Sequence, residues 1–320
     1  MTVISPFLYN GYSLVISDVI TENQIEINGT DYFVYYLDPI IKSNKGGHSF
    51  VFKLYLAQEF DQDAEPDKII KISRIKDKIN KNTIIESEWN KRFRQEIDAL
   101  YNCKQKSVGN VIEIFENGNL ICHDKDGKSV SFPFYTMEYA EFDLKRFFEE
   151  EDEVYDEAGR IELCLQIAQG IKDLNDLGYY HRDIKPDNIF MINGTWKVGD
   201  LGLIQMRNTP SLDKEGELLG PRGWLSPEAM NKYLSEKVKG MHFDCIIDHQ
   251  SDLFQLAKVF WYILQGNAPI GCVKESDFLL RNSPLYSIIK QMLNHSKKKR
   301  PASVDNVISD LKMIVNKYYK

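Results

Sequence analysis

Apolar and polar residues alternate weakly through residues 10–40, in YSLVISDVI, QIEI and DYFVYY. That two-residue period predicts two or three strands, with Asn28-Gly29 as a hairpin turn between them. NKGGHSFVFKLYLA, residues 44–57, reads as a glycine-rich turn between strands, and DKIIKI, residues 67–72, as a further strand. The period changes over residues 84–102, where Trp89, Phe93, Ile97 and Leu100 recur at three- and four-residue steps, which predicts an amphipathic helix. Strand patterns return at 110–114, 120–123 and 130–137, with a turn at 124–127. Beyond that point the pattern is mainly helical. A short helix is predicted over 143–150, and a long one over 158–178 with Cys164, Ile167, Ala168, Ile171 and Leu174 on its buried face. HQSDLFQLAKVFWYILQG reads as a central helix, and PLYSIIKQML and ASVDNVISDLKMIV as two closing ones. Residues 229–247 read as an enlarged loop or small insertion.

Composition narrows the class. A chain of 320 residues, 43% hydrophobic, has ample length to bury a core, as one large domain or two small lobes. A net charge of −7 argues against broad nucleic-acid binding. Cys103, Cys122, Cys164, Cys245 and Cys272 form no C-x-x-C and are expected as reduced, partly buried thiols. The start, MTVISPFLYNGYSLVI, lacks the basic and apolar regions of a secretory leader. The apolar run 253–264 is interrupted by Gln255 and Lys258, and is shorter than the roughly 20 residues that span a bilayer. The expectation is a soluble, cytoplasmic protein with neither a nucleic-acid nor a membrane partner.

The candidate chemistry is concentrated in residues 181–202, HRDIKPDNIFMINGTWKVGDLG. Asp183 and Asp200 flank a short strand–turn–strand, with Lys185 and Asn188 between them. Phosphoryl transfer requires such a set: a carboxylate to orient a hydroxyl, a carboxylate and an amide oxygen to hold Mg²⁺, and a cation near the transferred group. HRDIKPDN fits H-R-D-x-x-x-x-N at every defined position, and DLG fits D-F-G with Leu201 in place of phenylalanine. The stretch resembles the catalytic loop and metal-binding motif of the eukaryotic-type (Hanks-type) serine/threonine protein kinases. Ser226-Pro227-Glu228 similarly resembles A-P-E, and the likeness covers roughly residues 33–316.

The resemblance implies an α+β, two-lobed protein-kinase-like fold. An antiparallel sheet plus helix C would form the small lobe, 33–138, and a mainly helical large lobe would follow, 139–320, with an activation segment at 200–228. Residues 1–32 would be an extension adding strands to the small lobe. By resemblance Asp183 is the catalytic base, Lys185 steadies the γ-phosphate, and Asn188 and Asp200 bind Mg²⁺. Lys71 matches the lysine of V-A-I-K that contacts ATP phosphates, and Glu96 the helix-C glutamate that pairs with it. Ile69 stands where the family usually has alanine, against the purine. Asn44, Gly46, Ser49 and Val51 occupy the defined places of G-x-G-x-x-G-x-V, with only the middle glycine kept. Those residues would equally serve as a plain hairpin turn. Met137 would be the gatekeeper, and Glu138 to Ala140 the hinge that recognises adenine. Asp143 would reach the ribose and Phe190 would pack beneath the base. Arg182 would receive a phosphate on Thr209 or Ser211. Glu228 would pair with Arg300, and Asp252 would brace the catalytic loop. The rest of the basic run at 297–300 reads as a solvated helix end.

The expected function is therefore ATP- and Mg²⁺-dependent phosphorylation of Ser/Thr in protein substrates, including the chain itself. Lys185 favours the Ser/Thr branch. Pro221 and Trp224, in GPRGWLSPE, match what tyrosine kinases carry there, so a tyrosine or dual-specificity acceptor stays open. The altered glycine turn, Ile69 and Pro221 also leave open a pseudokinase acting as a nucleotide-binding or scaffold module. A small-molecule kinase of similar fold is disfavoured by Ser226-Pro227-Glu228.

Overall fold

The computed structural model describes residues 1–38, 49–61, 63–80, 83–150, 155–240, 242–280 and 283–318. Internal packing divides the chain into two units, Met1–Lys104 with Glu113–Tyr139, and Gln105–Ile112 with Ala140–Lys320.

The first unit is built on β1 (Thr2–Tyr9), β2 (Leu14–Val15), β3 (Gln24–Ile27), β4 (Thr30–Tyr36), β5 (Ser49–Leu56) and β6 (Lys68–Ser73). The hairpin β7 (Lys78–Asn80) and β8 (Thr83–Ile85), helix α1 (Lys91–Gln105), β9 (Ile114–Asp124) and β10 (Ser129–Glu138) follow. Among the described residues the main sheet runs β2-β1-β9-β10-β6-β5-β4-β3. Its neighbours are antiparallel except β1 and β9, which are parallel. The β3–β4 turn has Asn28 and Gly29 at φ 53° and 76°, the left-handed pair that a two-residue hairpin needs.

Strand alternation divides β5 and β6 into two faces. Phe50, Phe52, Leu54, Ile70 and Ile72 enter a core shared with Val3, Phe7, Leu14, Ile25 and Ile27. The rings of Phe7 and Phe52 lie 4.8 Å apart, and the Tyr36 hydroxyl meets the backbone of Ile16. β1, near one end of the sheet, packs on β3 at the other, so the sheet curls around its own core. β1 pairs with β9, a strand more than a hundred residues on. The Met1 carbonyl accepts the Asn119 N–H at 2.9 Å, and a Cβ at Gly118 would collide with it.

Two local expectations change. Residues 83–85 form β8, whose Ile84 and Ile85 suit a strand. Ser87 then accepts the Trp89 N–H and caps a single turn, Glu88–Asn90, before α1 begins. Trp89 consequently precedes the helix and is 65% exposed instead of lying on its buried face. Residues 110–112 join the second unit, where Val111 bridges Val198 and Ile112 N–H donates to the Val198 carbonyl.

The second unit contains β11 (Phe142–Asp143), α2 (Leu144–Glu150), α3 (Glu157–Asp176) and β12 (Tyr179–Tyr180). It continues with β13 (Ile189–Ile192), β14 (Thr195–Val198), β15 (Gln205–Met206) and α4 (Pro227–Ser235). α5 (His249–Gln265), α6 (Pro284–Met292) and α7 (Val304–Tyr318) complete it. α3 buries Ile161, Leu163, Cys164, Ile167, Ala168, Ile171 and Leu174, and packs on α5, α7 and β14. α5 opens with a reciprocal Asp248–Ser251 cap. α4 occupies the start of the stretch expected as a loop at 229–247; Ser226 caps it and Pro227 supplies a preset first turn. Cys103, Cys122 and Cys164 are buried free thiols, and burial pushes the Cys122 pKa up to about 12. Among the described residues no helix is long and apolar enough to cross a membrane.

The core contact between Phe7 and Phe52 yields a direct expectation. Phe7→Ala should destabilise the chain by about 3–5 kcal/mol, as measured by chemical denaturation; a loss below 1 kcal/mol would show that β1 contributes no core packing.

Candidate active site

In the first unit, β6 places Val51 and Tyr135 as the cross-strand neighbours of Lys71, and Met137 as that of Ile69. Lys71 lies on the face away from the curled core. Its Nζ meets Glu96 Oε1 at 2.8 Å, with the two side chains 9% and 2% exposed. The Tyr135 hydroxyl donates to the same oxygen at 3.0 Å. A buried ion pair is tolerated when close geometry and added hydrogen bonds offset desolvation, and both conditions are met here. Lys68, the other lysine of the strand, projects to the opposite face and pairs with Glu116 at 2.9 Å. The pleat therefore places the two lysines of the strand on opposite faces.

The remaining first-unit candidates are distributed around that pair. Val51 is half-buried on β5, Ile69 is buried on β6, and Ser49 is buried at the start of β5, its carbonyl accepting Arg74 Nε–H at 3.3 Å. Asn44 and Gly46 lie outside the described residues. Glu138 donates its N–H to the Glu113 carbonyl at 3.1 Å and accepts the Glu113 N–H on Oε2 at 2.7 Å. This exchange fastens the end of β10.

In the second unit, the loop between β12 and β13 is held by α5. The buried Asp252 carboxylate accepts the backbone N–H groups of His181 and Arg182, both at 2.8 Å. Burial pushes the Asp252 pKa up to about 7, against the opposing effect of those two donors. Gln255 accepts the Ile184 N–H and donates to the Arg182 carbonyl, each at 3.2 Å. Arg182 is thereby kept at φ +69°, in the left-handed region that few non-glycine residues adopt. His181 accepts the Asp183 N–H on Nδ1 and donates Nε2–H to the Gly199 carbonyl, both at 3.2 Å. Those roles require the neutral ring, and burial lowers its pKa to about 4.

Asp183 is the centre of the loop. Its Oδ2 accepts Lys185 Nζ at 2.7 Å and Asn188 Nδ2 at 3.0 Å, and Asn188 Nδ2 also reaches the Asp183 carbonyl at 2.9 Å. Its Oδ1 is buried and has no hydrogen-bond partner among the described residues. Gly220 lies directly against that oxygen: a Cβ there would stand 2.7 Å from Oδ1. Burial raises the Asp183 pKa to about 6, Lys185 draws it back, and the nearby Asp200 carboxylate pushes it up again.

The donor set suits a hard cation. Because Asn188 spends its amide nitrogen on Asp183, its side-chain oxygen is the atom left to coordinate, and Asp200 is exposed at φ +53° two residues after β14. Among the described residues no three His, Cys, Asp or Glu side chains cluster to hold a metal by themselves. A Mg²⁺ on this pair would complete its shell with phosphate and water oxygens. Asp143 and Phe190 are cross-strand partners in the β11–β13 pair, and Asp143 also caps α2 through the Arg146 N–H at 2.8 Å. The Phe190 ring packs against Gly199. Ala140 is half-buried at the start of the second unit.

Residues 200–228 carry a feature that sequence reasoning missed. Arg182 makes a two-pronged pair with Asp213, both contacts at 2.8 Å and the side chains 4% and 5% exposed, while its Nε–H donates to the Leu203 carbonyl. The guanidinium expected to receive a phosphate is therefore occupied by a carboxylate. Thr209 and Ser211 are exposed. The Thr209 hydroxyl donates to the Met206 carbonyl, and the Ser211 hydroxyl accepts the Asp213 N–H. An acidic residue two places after Ser211 was the available signal. Glu228 and Arg300 form the expected pair, also in a two-pronged arrangement at 2.8 and 3.2 Å. Lys297 is not merely solvated: it pairs with Asp244 and Asp248.

Comparison with known proteins agrees with this geometry. A family model described as protein kinase domain matches residues 68–317. The chain is 27% identical over 187 residues to the probable serine/threonine-protein kinase PknB of Corynebacterium glutamicum, covering 58% of this chain and 26% of that protein. It is 30% identical over 199 residues to the serine/threonine-protein kinase cds1 of Schizosaccharomyces pombe, covering 60% and 39%. A third relative, the Wee1-like protein kinase of Oryza sativa, is 26% identical over 152 residues, covering 45% and 26%. The matched region thus spans well under half the length of each relative. The fold is the two-lobed α+β fold of the protein kinases. The chain belongs to the protein kinase family.

The raised Asp183 pKa has a consequence for stability. A buried carboxylate that prefers its proton stabilises the fold below the unfolded pKa of about 4, and that contribution is lost as pH rises through about 6. Asp183→Asn should therefore melt above the parent at pH 8. The advantage should shrink between pH 6 and 4 and vanish below, when followed by thermal unfolding; an advantage independent of pH would contradict the ionic cause.

Proposed function

We propose that the chain is an ATP- and Mg²⁺-dependent protein kinase that transfers the γ-phosphoryl group to Ser/Thr hydroxyls of protein substrates, itself included. The observation that carries this reading is the divided Asp183 carboxylate: Oδ2 is held by Lys185 and Asn188, while Oδ1 is buried without a partner. An oxygen oriented in that way suits a substrate hydroxyl, which would donate its proton to Oδ1 as its own oxygen attacks the γ-phosphorus and ADP leaves. With its pKa at about 6, Asp183 is ionised at neutral pH and close enough to it to act as an effective base.

The other residues take supporting roles in this reading. Lys71, fixed by Glu96, holds the α- and β-phosphate oxygens, and Lys185 steadies the phosphoryl group in transit. Asn188 and Asp200 are the ligands for Mg²⁺, whose chemistry is to bridge phosphate oxygens and offset their charge. Asn44, Gly46 and Ser49 approach the phosphates. Val51, Ile69 and Phe190 contact adenine, Glu138 and Ala140 recognise its edge through the backbone, and Asp143 meets the ribose. The contact of Lys185 with Asp183 and the names of two relatives favour Ser/Thr acceptors. A cytoplasmic location is part of the same proposal. Pro221 and Trp224 keep tyrosine as the acceptor to test against. Exposure of Thr209 and Ser211 supports both as self-modification sites.

Intact mass measured before and after incubation with Mg·ATP, beside Asp183→Asn, tests the reading. Successive phosphate additions in the parent alone are expected, with fragment mapping to Ser or Thr. ATP binding with no transfer to the chain or to a general protein substrate would instead favour a nucleotide-binding module.

Two kinetic outcomes follow. The pH profile of kcat/KM should show an acid limb with an apparent pKa near 6, activity falling as Asp183 gains its proton. Gly220→Ala forces alanine into φ +92° and places its Cβ against Oδ1. It should lower kcat by about 10²-fold, the scale of a small misplacement in a catalytic site, and an unaffected kcat would remove Oδ1 from the mechanism.

A further inference from the structure

We infer that Asp77, Asn90 and Arg94 form a polar anchor that sets the rotation of α1 on β6 and thereby holds Glu96 on Lys71. They are positioning residues, and their catalytic consequence rests on the function proposed above.

The anchor is nearly complete as a hydrogen-bond network. Asn90 is buried, yet both protons of its amide are used, on the Ile75 carbonyl at 2.9 Å and Asp77 Oδ1 at 2.8 Å. Its own oxygen accepts the Ser73 hydroxyl at 2.6 Å. Asp77 is buried too. Its Oδ1 accepts the Ser87 N–H at 2.7 Å, and its Oδ2 accepts Arg94 at 2.7 Å. The Asp77 N–H donates to the Ser131 carbonyl on β10 at 2.8 Å. Arg94 also meets Glu86 at 3.0 Å. Burying an amide and a carboxylate costs several kcal/mol unless their hydrogen bonds are made, so this network has one favourable arrangement.

That arrangement bears on the ion pair through spacing. Ser73 stands two residues after Lys71 on the same face of β6. Arg94 precedes Glu96 by two residues on α1, and Asn90 lies in the turn that leads into the helix. The helix therefore touches β6 at two levels, Ser73–Asn90 and Lys71–Glu96, with Asp77–Arg94 alongside. Its apolar contacts, from Phe93, Ile97, Ala99, Leu100 and Cys103, are non-directional. They tolerate small rotations, whereas a turn of one residue moves a side chain about 100° around the axis, since 3.6 residues complete a turn. Directional bonds at the start of α1 remove that freedom before the chain reaches Glu96.

The test measures the reactivity of the Lys71 amine directly. Parent, Asp77→Asn, Arg94→Met and Arg94→Lys are treated with acetic anhydride, and modification of Lys71 and Lys68 is quantified by peptide mass spectrometry. Asp77→Asn sets an amide donor against the guanidinium, and Arg94→Met removes the donor altogether. In both, Lys71 should react about ten- to a hundredfold faster, the equilibrium factor carried by a hydrogen bond to a charged group. Lys68, paired with Glu116 on the other face of the same strand, should keep its parental rate. Arg94→Lys should stay close to the parent. The two disruptive variants should also lose kcat by a similar factor with an unchanged KM for a peptide substrate. Unchanged Lys71 reactivity in Arg94→Met overturns the inference. A parallel rise at Lys71 and Lys68 overturns it as well, because that is general loosening. If the parent transfers no phosphate, the proposed function fails, while the ratio of Lys71 to Lys68 still decides whether the anchor holds the pair.

Discussion

A charge buried without a partner costs several kcal/mol, and the placement of side chains in each unit follows from that cost. Lys71 is buried because Glu96 meets it, and Tyr135 donates to the same Glu96 oxygen. Arg182 is buried because Asp213 takes both arms of its guanidinium. Arg300 is buried against Glu228, and Asp252 against two backbone N–H groups. None of these pairs is strong evidence of net stability, since apolar replacements of similar volume often do as well. Each pair does permit only one geometry at low cost. That specificity is what a site composed of several side chains needs.

Asp183 departs from this pattern at one atom. Its Oδ2 is satisfied twice, while its Oδ1 faces Gly220 with no donor. The surrounding contacts over-determine the loop: Asp252 and Gln255 hold its backbone, and His181 ties it to Gly199. A fold can tolerate one unsatisfied acceptor when so many neighbouring bonds fix the position. The arrangement is costly as structure and makes sense if a hydroxyl completes it during turnover.

The Asp183–Lys185–Asn188 cluster was legible in the sequence because its residues are close along the chain, and short-range spacing translates directly into a short-range cluster. Lys71 was legible through alternation, and Glu96 through the recurrence of apolar positions in α1. The start of that helix was not legible, because Ile85 and Trp89 stand at a helical four-residue step although Ile84 and Ile85 suit a strand, and the Ser87 cap settles the matter only in three dimensions. Non-local pairings were invisible for the same reason. Nothing in TVISPFLY specifies a parallel partner at Ile114–Asp124. Asp213 was passed over because an acidic residue in an exposed-looking loop resembles a solvated one until Arg182 is placed beside it. Asp77, Asn90 and Arg94 are ordinary polar residues in sequence, and only their burial sets them apart.

β6 brings these strands of argument together within the first unit. Its pleat sends Ile70 and Ile72 into the core that the amino-terminal strands close, and sends Lys71 and Ser73 toward α1. The first face is held by dense, non-directional packing, which resists displacement because interiors are close-packed. The second is held by a few directional bonds, which set rotation and register. A strand gripped by packing on one side gives those bonds a fixed base, so the polar anchor has to orient only the helix. The amino-terminal strands thereby contribute to the Lys71–Glu96 geometry by immobilising the strand from which Lys71 projects.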